Sequence, residues 1–564
     1  MEDLESAGKR LCSALDHYLG VCMNIHDLVA RKGMLRNVPQ NYLHHINTET
    51  DRFSSYEQKL RQAGAVVRRV RNRLSRLAPI TTLPPEVLTR IFNFVASPCD
   101  IIQASNSEAL DLETPESPSE ISDADDSVEG PRSKSLQLKN FPTHLDRVTH
   151  VCFYWRWIAI GTPSLWTHID LIPNQSLHRR FLARAETYAT RAARLPIELH
   201  IADDNPLAYD KTHLCQFLSL IYSRVKSLDI MMIHCWRSFH SLVLNELFPH
   251  PAPESTVLTK LVGSFPTADD VLDEFIDWFD HTNVSFFRLT VLHLRGIFPL
   301  WESMAYHNLV DLRLISPRDT RWTRISEPQL KSILSASPGL RIFYFALQTT
   351  DRKQDDEPTV PVCLDDLEVL SISTNRGNEN TILRPGHVLR LITPGLKPLR
   401  LSIWHNFIHF DHVDNDNLSP NELATFFQRS NITKFRLGGN CPLGLLDPLL
   451  CHAPNLEDLV LDSCVSIWSG VAPFRRDSLA SFRLNSLALH NCSPSLEQLE
   501  LFLREYPTNL LVASNCSWSN IPSYYQGQDP VDRIHDLLEK YPDTRLVVNR
   551  SLLSDPTAGW DLIE

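Results

Sequence analysis

Short motifs that would indicate an enzyme are absent from this sequence. It contains no phosphate-binding G-x-x-x-x-G-K-[ST] loop, no G-x-G-x-x-G turn, no G-x-S-x-G elbow and no H-E-x-x-H zinc motif. Each of these motifs sets a nucleophile, a base, a phosphate cradle or a metal ligand at the spacing that its chemistry requires. We therefore expect no catalytic residue, no cofactor and no enzyme activity in this chain.

One histidine-rich stretch has residue types that bind metal ions. His405 and His409 are four residues apart, and His412 follows. That spacing would place the first two rings on one face of a helix, where they could ligate a metal ion. The stretch follows a repeated strand motif, however, which favours a loop. We therefore predict no metal site.

Basic and aromatic side chains recur at one position of a repeated L-x-x-L-x-L motif. Alternate side chains of a strand point to opposite faces, so the residue between the last two leucines faces away from the core. These positions and two basic neighbours are our candidates for target binding: His293, Arg295, Arg313, Tyr344, Arg400, Lys434 and Arg436. The guanidinium fork fits carboxylate or phosphate, so we expect an acidic or phosphorylated protein target. The alternative is an ordinary exposed strand face without a ligand.

The repetition of this motif predicts the architecture of most of the chain. The motif recurs from Val225 to Leu489 at an average interval of about 29 residues, with amphipathic stretches between its copies. The position that a leucine-rich repeat fills with a buried Asn or Cys holds Asn375, Asn440, Cys464, Cys492 and Cys516. We predict an irregular α/β leucine-rich-repeat solenoid over residues 195–550, with parallel strands on the concave face and helices outside. The alternative is a generic α/β domain in which the leucines recur by chance.

Two further segments are distinguished by composition. Residues 1–78 have apolar residues at helical spacing, with a break between Gly33 and Pro39, and we predict a helical hairpin or short coiled coil. Residues 100–131 contain ten Asp or Glu and no Lys or Arg. They cannot bury enough apolar surface to offset their ordering entropy, so we predict a disordered acidic insertion over 99–140.

Charge and hydropathy limit the partners. Ten of the acidic charges behind the net charge of −12 lie in residues 100–131, which leaves −2 for the rest of the chain. The overall acidity argues against nucleic acid. No apolar run reaches the roughly 20 residues of a membrane span, and the N-terminus does not resemble a secretory signal. We expect a cytoplasmic or nuclear protein without a membrane partner, and a C-terminal tail at 551–564.

Two apolar pieces flank the acidic insertion. The first, LPPEVLTRIF at 83–92, begins with prolines that suit a first helical turn and continues with apolar residues at helical spacing. The second, VTHVCFYWRWIAIGTPSLWTHIDL at 148–171, places Val151 and Trp155 on one helix face and Trp166 after a turn. Together they predict one small all-α domain that is split between residues 79–98 and 141–171.

These two pieces resemble the F-box, especially its fungal F-box-like variety. The resemblance rests on the LPPE start, the VC-x-x-W core and the PSLW end, and it covers on the order of 45 non-contiguous residues. The long acidic insertion departs from the short connection that is usual in the family. The resemblance implies docking on a Skp-type adaptor, which bridges to a cullin scaffold. The residues implied to contact or border the adaptor are Leu83, Pro84, Val87, Leu88, Ile91, Phe92, Val151, Trp155 and Trp166.

The resemblance and the repeats together imply a substrate-recognition subunit of an SCF-type ubiquitin ligase. Such a chain performs no covalent chemistry; it holds a target lysine close to the ubiquitin-charged enzyme. The alternative is an interaction scaffold that uses the repeats without engaging a ligase. A further hypothesis is that the acidic segment 100–131 covers the basic strand positions until a target displaces it.

Overall fold

The computed structural model describes residues 2–31, 40–73, 83–95, 144–171, 178–203, 211–232, 238–247, 257–264, 288–317, 323–350, 360–374, 385–405, 420–439, 446–463, 483–493, 496–516 and 539–549, together with Thr557 and Trp560. The predicted acidic insertion and the histidine-rich stretch beyond His405 lie outside these residues. The chain divides into two compact units. The helical unit comprises Met1–Ile91 and Asp146–Ala159, and the sheet unit comprises Phe92–Leu145 and Ile160–Glu564.

Helices account for all the secondary structure described in the helical unit. The helices that lie wholly or partly in it are α1 (Glu2–Arg31), α2 (Gln40–Arg73), α3 (Pro85–Val95), α4 (His144–Val151) and α5 (Phe153–Ile160). Helices α1 and α2 meet at Tyr18, whose hydroxyl lies 3.4 Å from Glu49 Oε2 and whose ring packs edge-on against Tyr56. The predicted stripe on α1 stays exposed, with Leu4 at 54% and Val29 at 56%. None of the helices in the described residues is both long and apolar enough to cross a bilayer.

One parallel sheet of 14 strands forms the centre of the sheet unit. Its strands, in spatial order, are β1 (His168–Leu171), β2 (Ile197–Asp203), β3 (Val225–Met232), β4 (Lys260–Ser264), β5 (Val291–Arg295), β6 (Asp311–Ile315), β8 (Ile342–Ala346), β11 (Val369–Thr374), β13 (Leu399–His405), β14 (Ile432–Gly438), β15 (Asp458–Asp462), β16 (Leu484–His490), β17 (Thr508–Ser514) and β18 (Arg545–Asn549). Spatial order follows chain order, as expected of a solenoid in which each repeat adds one strand. The predicted leucine-rich-repeat-like α/β solenoid is confirmed.

Helices and short strands connect the strands of this sheet. The α-helices are α6 (His178–Arg191), α7 (Lys211–Ile221), α8 (Ser238–Leu247), α9 (Glu327–Ala336), α10 (Pro385–Leu389), α11 (Pro420–Gln428), α12 (Leu446–Leu450) and α13 (Leu496–Glu505), and the 3₁₀ turns are Pro163–Trp166, Tyr222–Arg224 and Met304–Tyr306. Two small parallel pairs join β7 (Arg324–Ser326) to β9 (Gln348–Thr350) and β10 (Val362–Leu364) to β12 (Ile392–Pro394). A parallel strand cannot follow its neighbour through a tight hairpin, so each repeat requires a crossover of this kind.

The core of the sheet unit follows a period of two, which is clearest along β5 and β6. In β6, Leu312 and Leu314 are fully buried and Arg313 between them is half-buried. Strand β5 repeats the arrangement, with Leu292 and Leu294 buried on either side of half-buried His293. The leucines of successive strands therefore share one face of the sheet, and the intervening residues share the other.

A residue with left-handed backbone ends several of the strands. Gly296, Gly439, Ser463 and Asn491 directly follow their strands and have φ angles of 78°, 85°, 54° and 50°. The main-chain N–H of each donates to the last carbonyl of the next strand; for Asn491 the acceptor is Ser514 O, at 3.0 Å. This turn extends the hydrogen-bond ladder beyond the end of the strand.

The cysteines of the repeat motif stabilise the same turns. Cys492 Sγ lies 3.3 Å from Leu461 O, and Cys516 Sγ lies 3.4 Å from Leu489 O. Burial raises the pKa of the Cys516 thiol to about 12, so it remains a thiol and can donate to the carbonyl. The predicted structural role is confirmed for these two residues, whereas Asn375, Asn440 and Cys464 lie outside the described residues.

The backbone at Asn491 gives a test of this turn. Asn491→Ala and Asn491→Gly both remove the side-chain hydrogen bond that Asn515 Nδ2 donates to Asn491 Oδ1. Alanine must also adopt a left-handed conformation that is unfavourable for residues with a Cβ, by roughly 1–2 kcal/mol. We expect the alanine variant to unfold at the lower urea concentration, by about 1 kcal/mol in unfolding free energy. A glycine variant less stable than the alanine variant would contradict this account of the turn.

Candidate interaction surface

The strand register brings the predicted target-binding residues together on the face of the sheet opposite the buried leucines, which we call the open face. One row across this face joins aligned residues of neighbouring strands: His293, Arg313, Tyr344, Ser371, Ser402 and Arg436. Arg400 and Lys434 are aligned with each other in the next row, and Arg295 lies in the row on the opposite side. All seven candidates therefore lie on the open face.

The register corrects the position of Arg400 within this surface. The sequence motif makes Arg400 equivalent to Arg436, but the sheet aligns Ser402 with Arg436. Strand β13 buries three alternate residues, Leu399, Leu401 and Ile403, so the motif alone does not reveal which pair matches the neighbouring strand. A shift of two residues keeps a side chain on the same face, and Arg400 remains on the open face for that reason.

A carboxylate that sequence reasoning missed lies between two of the candidates. Asp311 Oδ1 and Oδ2 each lie 3.0 Å from nitrogens of the Arg313 guanidinium, and Asp311 Oδ2 lies 2.8 Å from His293 Nε2. The Arg313 guanidinium also stacks over the Tyr344 ring, 4.6 Å from its centroid. The spacing Asp311-Leu312-Arg313 contains the signal for this pair, since residues two apart share a strand face.

Asp311 and His293, the two titratable groups beside Arg313, have shifted pKa values. Burial opposes ionisation of Asp311, but hydrogen bonds from His293 and Arg313 outweigh it and hold the pKa of this carboxyl below its ordinary value. Burial lowers the pKa of His293, and Arg313 adds to this effect, while Asp311 only partly offsets it. The cluster therefore favours a charged carboxylate beside an imidazole that resists protonation.

The positive charges of Lys434 and Arg436 are likewise balanced by neighbouring carboxylates. Lys434 Nζ lies 2.9 Å from Asp458 Oδ2, and Arg436 Nη2 lies 2.5 Å from Asp462 Oδ2. Asp458 was not among the candidates, because it adjoins Lys434 only through the pairing of β14 with β15. The open face therefore carries paired charges of both signs, in addition to the basic residues from which an anion-binding surface was predicted.

The chain's own C-terminal segment contacts the open face at three residues that we call the basic strip, Arg400, Lys434 and Arg436. Arg400 Nη1 donates to the main-chain oxygen of Trp560 at 2.6 Å, and Arg436 Nη1 donates to Thr557 Oγ1 at 2.9 Å. Lys434 Nζ lies 5.8 Å from the centre of the Trp560 ring. Trp560 N–H also donates to Thr557 O at 2.9 Å, which closes a turn. The hypothesis that the acidic segment covers this strip concerns residues outside those described.

The residues implied to contact an adaptor differ in exposure. Leu88, Phe92 and Trp166 are fully buried, so in this conformation they stabilise the fold and present no surface. Trp166 packs edge-on against Tyr188, with ring centroids 4.9 Å apart. Leu83, Ile91 and Trp155 are half-buried, and the exposed members are Pro84, Val87 and Val151.

Two aromatic residues that were not among the predicted adaptor contacts add to the exposed apolar surface of the helical unit. Phe153 and Trp157 on α5 are 54% and 59% exposed, one helical turn apart. Tyr154, between them, donates a hydrogen bond from its hydroxyl to Leu83 O at 3.4 Å and stacks on Trp157. The two pieces that flank the acidic insertion in sequence are therefore in contact in the helical unit. The sequence feature that could have revealed this aromatic pair is the i,i+4 spacing of Phe153 and Trp157, which places both on one helix face.

The contribution of the Asp311 carboxylate to stability can be tested by varying the pH. The ordinary pKa of an aspartate is 3.8, and that of Asp311 is lower in the folded chain. Its contribution to stability is therefore complete above pH 3.8 and is lost as the pH falls through the lowered value. At pH 7 we expect Asp311→Asn to lower the unfolding free energy by about 1–3 kcal/mol, and the difference from wild type to shrink in acid.

Urea denaturation from pH 3 to pH 7 measures this difference. Asp366→Asn serves as the matched control, because Asp366 pairs with Lys397 at an exposed position and its loss should matter far less. A difference between wild type and Asp311→Asn that stays constant over the whole pH range would contradict the role assigned to the carboxylate.

Comparison with known proteins gives a likeness of backbone only. No protein-family model matches the chain, and no curated protein matches it significantly in sequence. The solved structures that match include a crystal structure of an internalin from Listeria monocytogenes, which is 14% identical. That match covers 69% of this chain and 89% of the internalin chain, with a TM-score of 0.23. The strand order and register of this chain itself define its fold.

Proposed function

We propose that this chain is a target-recognition subunit of an SCF-type ubiquitin ligase. In this proposal the helical unit docks on a Skp-type adaptor, and the open face of the sheet unit binds a segment of the target protein. The observation that carries the proposal is the basic strip in contact with the chain's own Thr557 and Trp560. A surface that holds one protein segment through a carbonyl, a hydroxyl and an aromatic ring has the groups needed to hold another.

The contacts of the basic strip define the kind of segment that it binds. Arg400 takes a main-chain carbonyl, Arg436 takes a hydroxyl, and Lys434 lies over an aromatic ring. A cation over the face of Trp is attracted by the ring quadrupole. Because Asp458 and Asp462 balance two of the three cations, net negative charge is not the main requirement. The target segment we propose presents a Ser or Thr and an aromatic residue three positions later.

The exposed apolar side chains of the helical unit support the adaptor half of the proposal. Val87, Val151, Phe153 and Trp157 are 42%, 58%, 54% and 59% exposed. Large apolar side chains that remain exposed on a small unit are typical of a surface that a partner covers. The resemblance of LPPEVLTRIF and its companion piece to the F-box indicates a Skp-type adaptor as that partner. The resulting mechanism is proximity, since the ligase acts on whatever the receptor holds near it.

Adaptor binding can be tested by co-purification of the full chain with a Skp-type adaptor. Val151→Glu and Trp157→Glu each place a charge within the proposed apolar contact, where it would be buried without a partner. We expect each to reduce adaptor retention at least about tenfold. Leu396→Glu is the matched control, because Leu396 is 93% exposed and belongs to the sheet unit. Failure of the wild-type chain to retain the adaptor would reject the ligase assignment and favour the interaction scaffold.

The basic strip can be tested with a labelled peptide that has the sequence of residues 551–564. In the wild-type chain the tethered C-terminal segment competes with the free peptide, so we expect the full chain carrying Trp560→Ala to bind the peptide roughly tenfold more tightly. Adding Arg400→Gln should remove the gain, whereas Arg504→Gln, at an arginine that is 62% exposed on α13, should not. Equal peptide binding by the wild-type and Trp560→Ala chains, measured by fluorescence anisotropy, would contradict this location of the target site.

A further inference from the structure

Three metal-ligand side chains meet at the first two strands of the open face. One ligand atom each from His168, Glu198 and His200 lies within 4.8 Å of the others. The parallel register places His168 opposite Glu198, and His200 follows two residues later on the same face of β2. The donors are therefore fixed by two adjacent strands, and a site on strands is held more rigidly than one on a loop.

The distances fit a tetrahedral ion. His168 Nδ1 lies 3.0 Å from Glu198 Oε2, and the rings of His168 and His200 are stacked with centroids 6.0 Å apart. Bonds of roughly 2.0–2.1 Å in a tetrahedral zinc site separate neighbouring ligand atoms by about 3.3 Å. Small side-chain rotations are enough to seat an ion among these three groups. Two imidazoles and one carboxylate also form a known set of protein ligands for zinc with an open fourth position.

The surroundings of His200 are those of a metal-binding histidine. Its Nδ1 lies 3.7 Å from Asp229 Oδ2 on the next strand. Its Nε2 is buried and has no hydrogen-bond partner among the described residues. A histidine that ligates a metal usually directs its other nitrogen to a carboxylate or carbonyl, which fixes the ring and the tautomer. Asp229 occupies that place, and Nε2 is left as the metal-binding nitrogen.

Charge distinguishes this cluster from the other histidine–carboxylate pair on the open face. The Asp311 carboxylate beside His293 is already neutralised by the two contacts of Arg313. Glu198 instead faces two imidazoles, and Asp170 and Asp229 flank His200 in the strand register. The nearby Arg184 approaches Asp170 at 3.8 Å. A divalent cation would balance the carboxylates that remain.

We propose that His168, Glu198 and His200 bind a zinc ion. Imidazole and carboxylate ligands in a three-donor arrangement match zinc better than calcium or magnesium, which prefer sites made only of oxygen ligands. The fourth ligand is water, or a side chain of a protein bound on the open face. The site uses residues separate from the basic strip and does not depend on the proposed ligase function.

Zinc binding can be measured on the full chain, purified without a histidine tag and freed of metal with a chelator. Titration with zinc chloride in a calorimeter should give one ion per chain for the wild type. His200→Gln and Glu198→Gln should each weaken binding at least about tenfold. His293→Gln is the matched control, because it changes a histidine of the same face outside the cluster and should leave zinc binding unchanged. Zinc bound by the exposed cysteines would survive in His200→Gln, so equal binding by that variant would overturn the proposal.

Two further readouts keep the test independent of how well a variant folds. Zinc should raise the thermal unfolding temperature of the wild type and of His293→Gln but not that of His168→Gln, because a ligand stabilises only a fold that binds it. Cobalt added to the wild-type chain should give the intense visible absorption of a tetrahedral site, and an excess of zinc should remove it. An unchanged unfolding temperature together with no such absorption would overturn the site without reference to any variant.

Discussion

The parallel hydrogen-bond ladder of the 14-strand sheet holds every surface described for the sheet unit in place. Each strand buries its alternate apolar residues on one face, as Leu312 and Leu314 do, and thereby directs the residues between them to the open face. A slip of one residue in any strand would bury its polar residues and expose its leucines, so burial fixes the register. The left-handed residues at the strand ends, such as Ser463 and Asn491, extend the ladder into the turns.

Because of this ladder, charged residues that are far apart in the sequence become neighbours on one surface. Lys434 and Asp458 are adjacent because β14 pairs with β15, and Arg436 reaches Asp462 across the same pair. A half-buried guanidinium without a partner would be costly, and the carboxylates reduce that cost. In the proposed receptor the open face therefore binds its target through shape, hydrogen-bond acceptors and aromatic rings, with charge largely balanced within the protein. The contacts of Arg400 and Lys434 with Trp560 are an example within the chain itself.

The helical unit differs from the sheet unit in the kind of surface that it exposes. Its surface is characterised by large apolar groups that remain exposed, Phe153 and Trp157 foremost, whereas Leu88 of α3 is fully buried. In the proposed receptor the two units have separate tasks: an apolar contact with the adaptor and a polar, mixed contact with the target. Such a division keeps target choice independent of ligase assembly. The zinc site inferred at β1 and β2 would add a third kind of contact to the open face, through coordination rather than charge or apolar burial.

The sequence by itself determined the class of fold, the face on which the residues of the motif strands lie and the structural role of Cys492 and Cys516. These features depend on local periodicity, and a period of two or a recurring cysteine can be read without knowledge of the neighbouring strand. Tertiary structure alone decided which residues face each other: Ser402 beside Arg436, Asp458 beside Lys434, and His168 beside Glu198. Pairing between strands depends on crossovers of irregular length, which the motif spacing does not specify. Burial of Trp166 and exposure of Trp157 were likewise decided by packing, because an apolar residue type does not reveal whether its helix face is covered.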